Sequence, residues 1–207
     1  MVTYERKLDA DPALAIREGG MHFEGESAVH KALRRITSRL DELAIPYALA
    51  GGMALFFHGY RRFTEDIDLV VTAEGLKALQ KALVGRGYRP AFQGGKNLRD
   101  TEHGVRIEFL ITGQYPGDGR PKSVAFPAPG DSAVDILGIK CLNLVKVIEL
   151  KLASGTAPGR RKDLGDVQEL IRILKLDEDF VDQIDESVRP LFQELWNELQ
   201  QAANANE

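Results

Sequence analysis

Cysteine is nearly missing from this sequence: Cys141 is the single one in 207 residues. One thiol permits no internal disulfide and builds no thiolate metal cluster, and it fits a reducing cytoplasm. Its apolar neighbours mark it as a buried structural thiol rather than a nucleophile. Long hydrophobic runs are also lacking. The longest apolar stretch, Tyr47 to Phe57, carries two glycines and falls far short of the roughly 20 residues that span a bilayer, so no membrane role is expected. No basic segment followed by an apolar one opens the chain, which argues against a secretory leader. Nor is there an excess of positive charge. A net charge of −4 argues against a protein coated over its whole surface in nucleic acid. Local basic patches remain at Arg34-Arg35, Arg61-Arg62 and Arg160-Arg161-Lys162, and each also reads as a solvated helix or loop face. No internal repeat, Walker A loop or G-x-G-x-x-G fingerprint is visible.

What is present is ordinary in bulk and informative in one place. The composition, 43% hydrophobic and 28% charged, is that of a folded domain, and 207 residues suffice for one large domain or a compact pair. The informative stretch is Tyr47 to Val71. A short apolar run, Tyr47 to Ala50, meets Gly51-Gly52; a helix-like segment reaches about Gly59; a second run carries Asp66-Ile67-Asp68 ahead of Leu-Val-Val. Strand side chains alternate faces, so Asp66, Asp68 and Val70 share one side and Ile67, Leu69 and Val71 the other. Two like charges held that close repel, and a bound cation is the usual remedy. Glycine admits backbone conformations closed to other residues, and a glycine turn that opens a helix offers N–H groups to phosphate. Tight packing between strand and helix would equally call for Gly-Gly.

The remaining elements follow from periodicity. Met1 to Gly25 reads as an arm with at most one short helix. Ser27 caps an amphipathic helix carrying Val29, Leu33, Ile36, Leu40 and Leu43, which Ile45-Pro46 ends. Thr72 to Arg86 is a second helix and Tyr88 to Phe92 a strand, with Gly94-Gly95 turning into Asn97 to Arg99. In the strand Val105 to Thr112, Glu108 points away from the apolar face of Ile107, Phe109 and Ile111. If this strand neighbours the Asp66 strand, three carboxylates converge; otherwise Glu108 is a surface residue. Gly113 to Pro129 is a long glycine- and proline-rich connection of a kind that is usually functional or a linker. Ala133 to Ile139 reads as a strand. Leu142 to Ala153 and Arg161 to Leu174 read as helices, and Phe180 to about Gln200 as one or two more, with Ala202 to Glu207 fraying. Asp163 and Asp166, three apart, share a helix face. His58, at the end of an apolar helix, reads as a structural histidine.

The ordered set Gly51-Gly52, a short helix, then Arg62-x-Thr64-x-Asp66-Ile67-Asp68-Leu69 resembles the nucleotidyltransferase superfamily with the polymerase-beta-like fold. It is most similar to the minimal bacterial branch around the AbiEii toxins. Ile107-Glu108-Phe109 is placed like that superfamily's third carboxylate. Glu149-Leu150-Lys151-Leu152-Ala153 and Arg161-Lys162-Asp163-Leu164-Gly165-Asp166-Val167 resemble the branch's later motifs. The likeness runs from about Ser27 to Leu174. It departs at Gly52, where many members carry a serine hydroxyl that this sequence lacks.

The resemblance implies an α/β (α+β) fold, a mixed β-sheet flanked by helices and followed by a C-terminal helical region. It divides the chain into an arm (1–25), a nucleotidyltransferase core (26–138) and a helical region packed on that core (139–207). The implied activity is transfer of a nucleoside monophosphate from an NTP to an acceptor, with Mg2+ or Mn2+ held by the catalytic carboxylates Asp66, Asp68 and Glu108. Gly51, Gly52, Arg62, Thr64, Lys151, Asp163 and Asp166 are the expected nucleotide-binding set. Arg62 either holds a phosphate or braces the carboxylates. Lys151 either meets the triphosphate or Asp166, or is a snorkelling helix lysine. Asp163 and Asp166 position that lysine, join the site, or form a cap or surface pair. The acceptor is left open among RNA, protein and small molecules, and an antitoxin-like protein partner is expected. The alternative is a non-catalytic nucleotide-binding or partner-binding protein on the same fold.

Overall fold

A computed structural model describes residues 2–92 and 94–205 of the chain. Among them, seven strands form one mixed sheet: β1 (Tyr47–Ala50), β2 (Asp66–Val71), β3 (Tyr88–Pro90), β4 (Leu98–Asp100), β5 (Arg106–Ile111), β6 (Ala133–Ile136) and β7 (Ile139–Leu142). Their order is β3-β4-β5-β2-β1-β7-β6. β1 and β2 are antiparallel with Ala50 opposite Asp68, whereas β2 and β5 are parallel with Asp68 opposite Glu108. The three central strands are anchored from below. Ile67, Leu69, Ile107 and Phe109 are fully buried, as are Ala48 and Leu49 of β1. On the other face, Asp66 and Asp68 of β2 and Arg106, Glu108 and Leu110 of β5 are only partly covered, whereas Val70 is buried. This is the period-2 pattern that the sequence predicts, and it leaves the acidic positions at the open side.

Nine helices complete the described residues: α1 (Tyr4–Ala10), α2 (Pro12–Phe23), α3 (Ala28–Glu42), α4 (Gly51–Phe57), α5 (Ala73–Leu83), α6 (Pro129–Ser132), α7 (Leu144–Gly155), α8 (Arg161–Leu174) and α9 (Arg189–Asn204). Their starts follow capping chemistry. Ser27 Oγ accepts from His30 N at 3.4 Å, Thr72 Oγ1 from Gly75 N at 3.0 Å, and Asn143 Oδ1 from Lys146 N at 3.0 Å. Lys175 ends α8 in the left-handed conformation. α7 packs on α8 and α8 on α9, giving the expected C-terminal helical region. No helix among the described residues is long and apolar enough to cross a membrane.

Three stretches differ from the sequence-based expectation. In the first 25 residues two helices form rather than at most one: Asp11 caps α2, Pro12 sits at its first turn, and Tyr4 and Leu8 of α1 enter the core. Tyr4 donates its hydroxyl to Glu18 at 3.0 Å, and Glu18 also accepts Ala28 N at 2.8 Å, tying α1 and α2 to the start of α3. Ala133 to Ile139, expected as one strand, is two: β6 and β7 are joined by a tight turn at Leu137-Gly138, with Leu137 at φ 55. Between Asp177 and α9 the chain forms two 3-10 turns, Glu178–Gln183 and Glu186–Val188. The fraying expected over 202–207 meets helix through Asn204, and Asn206 and Glu207 lie outside the described residues, as do Met1 and Gln93. Cys141 is fully buried, and burial pushes its thiol up to about 12.

Candidate active site

The acidic strand positions sit where β1 gives way to α4. Gly51 holds φ 59 there, and a Cβ at this position would lie 1.8 Å from Asp68 Oδ2. Only a residue without a side chain lets the Asp68 carboxylate rest against the turn. A Cβ on Gly52 would lie 2.9 Å from Thr64 Oγ1, so both glycines are needed for close approach. The first N–H groups of α4, like those of any helix, have no intrahelical partner, and no side chain caps them. Thr64 Oγ1 donates to Asp66 Oδ1 at 2.9 Å, fixing that carboxylate.

Asp66, Asp68 and Glu108 all line one cleft of about 770 Å³, together with Gly51, Gly52, Arg62, Thr64, Lys151 and Asp163. Burial first, then the charges of Asp66 and Glu108, push the Asp68 carboxyl up to about 7, against the opposing pull of Lys151 and Arg106. A guanidinium stands among the three. Arg106 Nη2 lies 3.1 Å from Asp66 Oδ2 and 2.7 Å from Glu108 Oε1. In this arrangement no three acidic, histidine or cysteine side chains among the described residues close around one point.

The opposite wall comes from α7 and α8. Lys151 Nζ lies 2.6 Å from Asp163 Oδ1 and 2.7 Å from Asp166 Oδ2, bridging two carboxylates that are each only 4% exposed. Arg62 pairs with Asp166 at 2.9 Å, and Arg160 with Asp163 at 2.9 Å. Ser154 Oγ donates to Asp163 at 2.7 Å. Burial raises the Asp163 pKa, but Lys151, Ser154 and Arg160 outweigh it and hold the carboxyl below its ordinary range. The tight spacing rests on Gly155, where a Cβ would lie 2.2 Å from Leu164 Cδ2. Asp166 does not reach the main cleft; it lines a neighbouring depression with Tyr60, Arg62 and Lys162.

The structure thus brings together, on one cleft, every residue that the sequence singles out except Asp166, which touches the cleft through Arg62 and Lys151. Sequence reasoning missed Arg106 as a site residue, although it sits two positions before Glu108 on the same strand face. It also missed Ser154 and Lys96, while Arg160 and Lys162 were visible as part of a basic cluster. The glycine-rich connection contributes Gln114 to Gly119 to the cleft, as long irregular loops often do. Arg34-Arg35 is structural: Arg34 pairs with Glu26, while Arg35 pairs with Asp100 and Glu102 and lies over the Tyr88 ring. His58 bonds the Leu142 carbonyl at 2.7 Å, a structural role.

The sequence profile of the family described as "Nucleotidyl transferase AbiEii toxin, Type IV TA system" matches residues 32–195. The chain belongs to the AbiEii nucleotidyltransferase family. It is accordingly a nucleotidyltransferase, and the seven-stranded mixed sheet is that fold. Among solved structures, ANT(2")-Ia in complex with adenylyl-2"-tobramycin is similar at a TM-score of 0.53 and 18% identity, over 79% of this chain and 96% of that one. An antigenic nucleotidyltransferase-like protein from Paracoccidioides brasiliensis is similar at a TM-score of 0.50 and 20% identity, over 83% of this chain and 87% of that one. At these identities the likeness is one of fold. No curated protein matches the AbiEii-family chain in sequence.

Proposed function

We propose that this AbiEii-family nucleotidyltransferase moves a nucleoside monophosphate from an NTP to an acceptor, with Asp66, Asp68 and Glu108 as catalytic carboxylates that hold Mg2+ or Mn2+. One observation carries the reading. The parallel register of β2 and β5 sets Asp68, which rests against the glycine turn at Gly51, opposite Glu108, with Asp66 on the same face. The donor set suits such an ion: the carboxylates offer only hard oxygen ligands. Burial, and then repulsion from Asp66 and Glu108, raise the Asp68 pKa, and a positive charge relieves that repulsion. A bound divalent cation would polarise the reacting phosphate and neutralise the departing pyrophosphate.

The chain's own residues supply positioning and charge, which is most of what phosphoryl chemistry asks of a protein. Thr64 fixes one Asp66 oxygen and so sets the rotation of that carboxylate. Lys151 has two of its three donors on Asp163 and Asp166, leaving the third for a phosphate oxygen at the cleft wall. Asp163 and Asp166 act by holding Lys151 and Arg62 in place. Gly51 and Gly52 let a phosphate approach the backbone N–H groups of α4, in place of the hydroxyl that Gly52 lacks. Glu108 accepts the proton of the attacking hydroxyl, for which Arg106 must release Glu108 Oε1.

The acceptor is an RNA end, a protein or a small molecule, and the exposed Arg160 and Lys162 at the rim suit an anionic one. As a family member, the protein would act as a toxin in the cytoplasm, held in check by an antitoxin-like partner. Incubation of the protein with each labelled NTP and magnesium in a cell lysate tests the transfer: label should enter one fraction, and none with chelator present. Triphosphate binding without label transfer to any fraction would favour a non-catalytic nucleotide-binding role.

A further inference from the structure

Arg106 has no part in the transfer as set out above except to move aside, and its surroundings say more. It stands opposite Asp66 in the β2–β5 register, on the same strand face as Glu108. A single nitrogen, Nη2, touches Asp66 Oδ2 at 3.1 Å and Glu108 Oε1 at 2.7 Å. Because Thr64 takes the other Asp66 oxygen, the guanidinium holds what that carboxylate has left to offer. Of the other cations that line the cleft, Lys151, Arg62 and Arg160 are engaged by Asp163 and Asp166. Arg106 is therefore the cation that bridges the strand carboxylates. Its Nε is buried with no hydrogen-bond partner, an arrangement that a second conformation with an acceptor would improve. Its side chain is one-third exposed and lines the cleft, so it has room to turn outward.

We propose that Arg106 is an internal counter-ion that a divalent cation must displace, and that the displaced guanidinium takes a phosphate oxygen of the triphosphate. The proposal rests on the metal-holding role given above to Asp66, Asp68 and Glu108. A cation and the guanidinium cannot both sit against the same two oxygens without strong repulsion. Cation loading alone is then opposed by the loss of two charge-assisted hydrogen bonds. Triphosphate restores them elsewhere, so each ligand raises the affinity of the other.

Manganese titration followed by electron paramagnetic resonance, on the wild type, Arg106→Gln, Arg106→Lys and Asp68→Ala, tests this. Calorimetry with a non-hydrolysable triphosphate analogue in saturating manganese completes it. Arg106→Gln should bind manganese alone roughly tenfold more tightly than the wild type, within the usual range of site coupling, yet bind the analogue more weakly. Opposite movement of the two affinities is the signature, since a merely structural loss weakens both. Arg106→Lys keeps a positive charge without the fork and should fall between; it remains informative if the glutamine variant fails to fold. Manganese affinity equal to or below the wild type's in a folded Arg106 variant, with Asp68→Ala still weakening it, would overturn this proposal alone. Undiminished manganese binding in Asp68→Ala would overturn the site beneath it.

Discussion

Asp68 gathers the electrostatic tension of the cleft. Its folded-state pKa is raised from 3.8 to about 7, by burial first and then by Asp66 and Glu108. A raised carboxyl pKa means that the folded state binds the proton more tightly than the unfolded chain. The stabilisation is complete below the unfolded value and is lost as pH rises through the folded one. In the metal-free protein the contribution of Asp68 to thermal stability should therefore be lost between pH 4 and pH 7. Asp68→Asn should raise Tm at pH 8 and change it less at pH 5. An equal shift at both values would show that Asp68 is ionised throughout. Gly51 makes the complementary point about space. Gly51→Ala places a methyl within 1.8 Å of Asp68 Oδ2 at a φ of 59, and should destabilise the fold by about 1–3 kcal/mol in urea unfolding. A neutral result would mean that the Asp68 side chain simply turns away.

Elements decide where those residues meet. α7 and α8 are joined across Lys151, whose ammonium serves two carboxylates that are each 4% exposed. Removing one partner of a buried pair strands the others, so Lys151→Met should destabilise the protein by about 3 kcal/mol, the low end for such sites, because Arg62 and Arg160 remain. Little change in the urea midpoint would show that water replaces the lysine. At the other end of the chain, Glu18 receives both Tyr4 and Ala28 N. Glu18→Ala should cost about 1.5–3 kcal/mol and speed amide exchange across α1 and α2; unchanged protection there would assign their docking to packing alone.

These elements also show what could be read in the sequence and why. Alternation exposed β2 and β5 because a half-buried strand writes a period of two: Asp66 and Asp68 against Ile67 and Leu69, Glu108 against Ile107 and Phe109. Ser27 was legible as a cap because capping is local. The pairing of β2 with β5 was not, since 40 residues separate Asp66 from Arg106 and register is a long-range property. Arg106 acquires its meaning only from that register. The β6–β7 turn escaped because Leu137 adopts a positive φ that leucine does not advertise. α1 and α2 escaped because Gly19-Gly20 interrupts a short, weakly patterned segment that is docked through Tyr4, Leu8 and the Glu18 hydrogen bonds.

At the scale of the molecule, the sheet presents one acidic strand face and the helices one cationic wall, and the cleft between them is sized for a nucleotide. If transfer is toxic, controlled expression of the wild type should arrest growth and Asp68→Ala should not. Arrest by both would mean that the fold harms the cell by binding rather than by chemistry. The most direct measurement is release of pyrophosphate from a labelled NTP, with acceptor-containing lysate, as magnesium is varied. The wild type should require magnesium, and Asp68→Ala and Glu108→Gln should lose at least about a hundredfold in rate, at the lower end for a lost transition-state contact. Magnesium-dependent release at the wild-type rate in either variant, with the fold intact, would contradict the account.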